Sequence, residues 1–136
     1  MAGRGAGGGR GERRGRGRRV SGSDPAFDDL ERGHVVLAPD PFKSEDDATR
    51  PWVVVNTERH PFDKRQYVVM GLTTRTWYDE RIPIEPDQYR HRRAPRDSSV
   101  VPHAVASLVP KLMTAYVCRI ESEPLDRAVE TLSAYL

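Results

Sequence analysis

Arg50 opens one apolar run, Arg50-Pro51-Trp52-Val53-Val54-Val55, and Thr73 stands near the close of another, Val68-Val69-Met70-Gly71-Leu72-Thr73-Thr74. Each run has the length and β-branched content of a buried strand, and each presents one polar group at an end, a guanidinium or a hydroxyl. If the two ends meet in a cleft, the chemistry they suit is phosphodiester cleavage. A guanidinium grips a phosphate through paired N–H donors and stays charged at any cellular pH. A Thr hydroxyl donates to a phosphate oxygen or orients a sugar hydroxyl, but by itself it is a poor proton acceptor. In RNA the neighbouring 2′-OH supplies the nucleophile, so a protein without a metal need only position groups and stabilise the phosphorane's charge. Such a reaction leaves a 2′,3′-cyclic phosphate and a 5′-OH.

Other side chains are candidates for the same site. Thr74 replaces Thr73 if the strand register differs by one residue, and Arg75 shares the strand end, where it is placed to hold RNA. Ser99 either donates to the phosphate or satisfies the backbone between its valine neighbours. Trp77, in a polar loop, is a platform on which a base can stack, whereas Trp52 reads as core. His60, in a loop beside Arg59 and Pro61, is either an RNA contact or an exposed side chain. His103 is a second-tier acid–base candidate. Arg90-His91-Arg92-Arg93 is a basic loop that either tracks a phosphate backbone or is simply solvated. The four histidines have no Cys or His partner at metal-ligand spacing, so no metal and no cofactor is expected.

These residues need a scaffold, and the chain has material for one domain. His34-Val35-Val36-Leu37-Ala38 reads as a strand closed by the Pro39-Asp40-Pro41 turn signal, and Phe42 to Thr49 as a polar, acidic loop. Trp52 to Val55 and Tyr67 to Leu72 are further strands, and Ile82-Pro83-Ile84 is an edge strand because proline cannot donate to an inner ladder. Asp87 to Pro95 reads as loop. Ser99 to Val101 and Ala104 to Ala106 form an extended stretch broken by Pro102, and Tyr116 to Ile120 is either a strand or a helix end. Ser122 as N-cap and Pro124 in the first turn start a helix, whose stripe is Leu125, Val129, Leu132 and Leu136. Short strands and one terminal helix predict a mainly β fold, a small barrel closed by that helix.

Charge divides the chain. Residues 1–19 hold seven arginines and one acid, and the rest, with fifteen basic and nineteen acidic residues, is net −4. Residues 1–22 hold nine of the eleven glycines and too little apolar surface to fold, so they are expected to be a disordered Gly/Arg tail, either a solvated arm or an RNA-attracting one. Residues 23–32 are expected as an acidic linker or short helix, and 33–136 as the folded domain. The single cysteine, Cys118, excludes an intrachain disulfide and fits a reducing compartment. With no apolar run of membrane-spanning length and no signal-peptide core, a cytoplasmic location without membrane contact is expected.

From Gly33 to Leu136 the order of motifs resembles the MazF/PemK family of toxin endoribonucleases. The likeness runs through Gly33-His34-Val35-Val36, Asp40-Pro41, the acidic loop ending in Arg50-Pro51 and its Val-rich strand, the strand ending at Thr73-Thr74, Ser98-Ser99-Val100-Val101 and the C-terminal helix. His34 stands where the family usually has an acidic residue. The resemblance implies an SH3-like barrel, a homodimer, metal-independent cleavage of single-stranded RNA at short sequences, and neutralisation by a cognate antitoxin. It maps the family's catalytic Arg onto Arg50 and its catalytic Thr onto Thr73. An alternative from another class is a non-catalytic SH3-like module that binds nucleic acid or a protein target, for example a DNA topoisomerase.

Overall fold

The computed structural model describes residues 24–41, 48–77 and 79–136. The Gly/Arg segment expected over 1–22 lies outside them, as does most of the acidic loop preceding Thr49. The elements are β1 (His34–Pro39), β2 (Thr49–Val54), β3 (Tyr67–Thr73), β4 (Ile82–Pro83), β5 (Tyr89–His91), β6 (Ser99–Leu108), β7 (Ala115–Ile120) and α1 (Ser122–Tyr135). Among the described residues the strands form one antiparallel seven-stranded sheet in the order β4-β6-β3-β2-β1-β7-β5. The fold is mainly β with a C-terminal helix, as the strand pattern predicts.

The strands read as unbroken apolar runs because both faces of the sheet are covered. Val35, Val53, Met70, Leu72, Val100, Cys118 and Ile120 pack with Leu125 and Ala128 of α1 in one core. Their chain neighbours Val36, Trp52, Val54 and Val69 enter a second core with Tyr67, Leu108, Tyr116 and Leu30. Alternation with period two sends Trp52 and Val53, or Val35 and Val36, to opposite sides. Cys118 is fully buried, and burial pushes its thiol pKa up to about 12, so it packs as a small hydrophobe.

Four local expectations are corrected. Residues 24–31, read as a linker or a short helix, form turns and bends, and Leu30 is buried beneath the sheet. The Tyr67 hydroxyl fastens this segment, accepting the Leu30 N–H at 3.1 Å and donating to the Phe27 carbonyl at 2.9 Å. The expected loop over 87–95 includes β5, which pairs with β7 at the sheet edge. β6 is a single strand running through Pro102, because its register jumps from Gly71↔Val101 to Met70↔Val105. Residues 102–104 therefore bulge out, and the N–H that Pro102 lacks is not needed by the ladder. In α1, Glu121 is the N-cap and Ser122 the first helical residue. Leu125 and Ala128 are buried and Leu132 packs against them, while Val129 and Leu136 are exposed. The real contact face follows i, i+3 and i+7, with the small residue Ala128 fully buried in it.

β1 starts at a position that only glycine fills comfortably. Gly33 has φ +103°, and a Cβ there would lie 2.6 Å from the Ile120 carbonyl oxygen. The next residue, His34, is buried, its Nδ1 accepting the Glu31 N–H at 2.8 Å and its ring meeting Tyr116 edge-on. Burial, reinforced by the nearby Arg119 guanidinium, pushes its pKa down to about 4. The folded state thus holds a neutral imidazole that the unfolded chain would protonate near pH 6.5. Stability from this group is complete above that pH and is lost as pH falls from about 6.5 to 4, a change on the order of 2–3 kcal/mol. Urea unfolding at pH 7 and pH 5 should show this loss in the wild type and a smaller one in His34→Gln.

Candidate active site

The register of β2 on β3 pairs Trp52 with Gly71 and Val53 with Met70. Continued by two residues, it brings Arg50 level with Thr73. Side chains two apart share a face, so Arg50, Trp52, Gly71 and Thr73 occupy one patch on the same side of the sheet. Gly71 is the empty corner of that patch, and the Arg50 guanidinium lies across it. A Cβ on Gly71 would stand 2.6 Å from Arg50 Cζ, 2.8 Å from Nη2 and 2.9 Å from Nε.

Three further contacts hold the guanidinium. Nη2 donates to the Leu72 carbonyl at 2.9 Å. Nη1 lies 3.9 Å from Asp40 Oδ2, a carboxylate whose side chain is only 4% exposed. Cζ sits 5.3 Å from the centroid of the Trp52 ring, within cation–π range. Trp52 itself is core, and its indole N–H donates to the Pro39 carbonyl at 3.3 Å. Arg50 is therefore pinned before any ligand arrives, with its side chain still 18% exposed. Thr73 ends β3, where its Oγ1 accepts the Arg75 N–H at 3.1 Å.

These groups border a cleft of about 440 Å³ whose walls include Asp40, Arg50, Thr73, Thr74, Arg75 and His103. Arg50, Thr73, Thr74 and Arg75 thus share one cleft, at the sheet end where β1 stops and β2 starts. Arg75 Cζ lies 5.3 Å from the ring of Trp77, which is 71% exposed and is not itself part of the cleft wall. Ser99 is buried between Thr73 and Pro83 in the ladder and does not line the cleft; its neighbour Ser98 does. His60 is elsewhere. The loop joining β2 to β3 leaves from the opposite end of the hairpin to Arg50 and Thr73, and there His60 Nδ1 accepts the Phe62 N–H. In the basic segment Arg90-His91-Arg92-Arg93, Arg92 pairs with Asp24, Arg90 with Glu121 and Arg93 with Asp97. Among the described residues no group of three or more His, Cys, Asp or Glu is placed to hold a metal ion.

Two residues of the site escape a reading by residue type. Asp40 reads only as turn punctuation, although an acid enclosed by prolines at a strand end is an unusual place for a buried charge. Gly71 reads as part of an apolar run, although a glycine inside a strand signals close approach of another group. Glu45, Asp46 and Asp47, the acids of the loop before Arg50, lie outside the described residues; the carboxylate found beside the guanidinium is Asp40.

Residues 31–136 match the family described as PemK-like, MazF-like toxin of type II toxin–antitoxin systems. No curated protein matches the sequence. Among solved structures, the fold is similar to an endoribonuclease in complex with its cognate antitoxin from a mycobacterial species, with TM-score 0.58 and 17% identity over 77% of this chain and 92% of that one. It is similar to MazF from Deinococcus radiodurans, with TM-score 0.60 and 13% identity over 78% and 94%. It is also similar to the Mycobacterium tuberculosis toxin MazF-mt6, with TM-score 0.53 and 12% identity over 74% and 93%.

The seat of Arg50 can be tested without reference to any activity. Gly71→Ala should leave a cooperative thermal transition, because alanine is an acceptable strand residue, yet it should evict the guanidinium from its place over Trp52. Nuclear Overhauser contacts between the Arg50 side chain and the Trp52 ring are expected in the wild type and should vanish in the variant.

Proposed function

The chain belongs to the PemK-like, MazF-like toxin family of type II toxin–antitoxin systems, and on that premise we propose that it is a metal-independent endoribonuclease cutting single-stranded RNA, messenger RNA included, at short sequences. The observation that carries the reading is the convergence of Arg50 and Thr73 in one open cleft, with the guanidinium already oriented by Asp40, Gly71, Trp52 and the Leu72 carbonyl. In this reading the scissile phosphate lies between the two side chains. Arg50 neutralises the charge that grows on the non-bridging oxygens, and a donor that needs no reorganisation is worth most in such a role. The Thr73 hydroxyl, whose oxygen is engaged by the Arg75 N–H, directs its proton to a phosphate oxygen. The adjacent 2′-OH attacks in line, leaving a 2′,3′-cyclic phosphate and a 5′-OH.

Thr74 and Arg75 extend the phosphate-binding wall, and the exposed Trp77 with Arg75 packed on it offers a shelf on which a flanking base stacks. The partners in this reading are RNA, a cognate antitoxin and a second copy of the chain in a homodimer. The antitoxin is supported by the mycobacterial endoribonuclease of the same fold, solved with its own. A cytoplasmic site of action accords with an RNA substrate; no helix among the described residues is long and apolar enough to cross a membrane.

Purified protein incubated with a long single-stranded RNA in EDTA should yield discrete fragments with 5′-OH ends. Arg50→Ala and Thr73→Ala should each lower the rate about 100-fold or more, the usual scale for losing one transition-state donor. Because Arg50→Ala removes a partner of the buried Asp40, Arg50→Lys and a thermal melt of each variant separate lost chemistry from lost fold. Intact RNA after incubation with well-folded wild type would overturn the enzyme reading in favour of a non-catalytic binding module.

A further inference from the structure

We propose that His103 is the general base of this cleft, taking the proton from the attacking 2′-OH; the assignment rests on the ribonuclease reading above. A 2′-oxygen that bonds to phosphorus must lose its proton, and the two residues central to that reading are ill suited to receive it. The Arg50 guanidinium has no acceptor atom. Thr73 Oγ1 already accepts the Arg75 N–H, and a hydroxyl is a weak proton acceptor. The carboxylate of Asp40 is turned to Arg50 and nearly closed to solvent. His103 is exposed, lines the same cleft, and carries the side-chain class best suited to exchange a proton near neutral pH.

Backbone geometry explains how it reaches the cleft. Gly71 pairs with Val101 and Met70 with Val105, so Pro102, His103 and Ala104 are extruded from the β3–β6 ladder, and Val101, His103 and Ala104 become cleft wall. The bulge thus lies against Gly71, the residue on which the Arg50 guanidinium rests. Tyr135 of α1 is the ring neighbour of the imidazole, with centroids 6.5 Å apart and planes at 57°. Among the described residues, the charged and titratable groups that share the cleft with His103 are Arg50 of β2, Asp40 after β1 and Arg75 after β3, and the ring facing it is Tyr135 of α1.

In the step itself, a ring nitrogen of neutral His103 takes the 2′-OH proton as the 2′-O–P bond forms. The P–O5′ bond breaks with its electron pair passing to O5′, which takes a proton from water. The imidazolium then returns its proton to solvent, so the cycle consumes none.

The test is single-turnover cleavage of a long single-stranded RNA in EDTA between pH 5 and 8, by wild type, His103→Ala and His103→Asn, with and without added imidazole. Both variants should be slower than wild type by about 100-fold or more at pH 7, the lower end of what general acid–base catalysis contributes. They should also lose the rise in rate with pH seen in the wild type, and His103→Ala should recover part of its rate with imidazole. Variants that cut within twofold of wild type would overturn the assignment while leaving the ribonuclease intact. So would variants that are slow but keep the wild-type pH dependence and ignore imidazole, which is the behaviour of a structural residue. RNA left whole by folded wild type would instead bring down the ribonuclease reading, and this proposal with it.

Discussion

The pairing of Trp52 with Gly71 is the constraint from which the cleft follows. It places a vacancy beside an indole on one face of the β2–β3 ladder, and two residues along it brings a guanidinium level with a hydroxyl. A slip of one residue would face Arg50 with Leu72 or Thr74 and send the paired side chains to opposite faces of the sheet. The vacancy matters as much as the register. With any side chain at position 71, the Arg50 head group would have to leave its seat against the Leu72 carbonyl and Trp52.

What fixes that register is burial on both sides. Val53 and Met70 face the core under α1, while Trp52 and Val54 face the core that contains Leu30 and Tyr67. A shift of one residue would carry Arg50 towards the helix-covered core and strand its charge in apolar surroundings, a far larger penalty than any gain in strand pairing. The site therefore inherits its precision from two hydrophobic layers, and touches one of them through Trp52. Its two costs are local: a glycine in a strand destabilises by roughly 0.5–1 kcal/mol, and Asp40 must be taken out of water. The second is offset by the guanidinium beside it, which in turn gains a fixed direction.

The sequence made most of the inner strands, the edge position of Ile82-Pro83 and the terminal helix legible, because period, β-branching and proline placement are local properties; the short edge strand β5, with no apolar run, read as loop. Arg50 and Thr73 were legible as polar groups at strand ends. Their proximity was not, since it depends on a register set by contacts distant in the chain. The same limit explains Asp40 and Gly71, whose meaning exists only relative to Arg50, and the bulge at Pro102, which in the sequence looks like a break between two strands. His60 is the converse case: its residue type is suggestive, but the hairpin carries its loop away from the cleft. On α1 the periodic stripe pointed to Val129 and Leu136, which are exposed, whereas the buried face holds Ala128.

An RNA substrate sets an electrostatic problem for this fold, since the chain beyond residue 19 is net −4. Net charge governs distant encounter, but exposed charges more than about 8 Å apart are largely screened at physiological ionic strength. Inside the cleft the balance is local. Among the described residues, Arg50 and Arg75 line it together with one acid, Asp40, whose side chain is nearly closed to solvent and paired with Arg50. In the proposed reading a few well-seated donors and a stacking surface, in place of a broad basic face, would hold a strand through a small number of phosphates. Binding of that kind gains little from the bulk of the polyanion and much from the fit of the few nucleotides that enter. On the proposed ribonuclease reading, that is the physical basis on which a small acidic fold would act on RNA at short sequences rather than along its whole length.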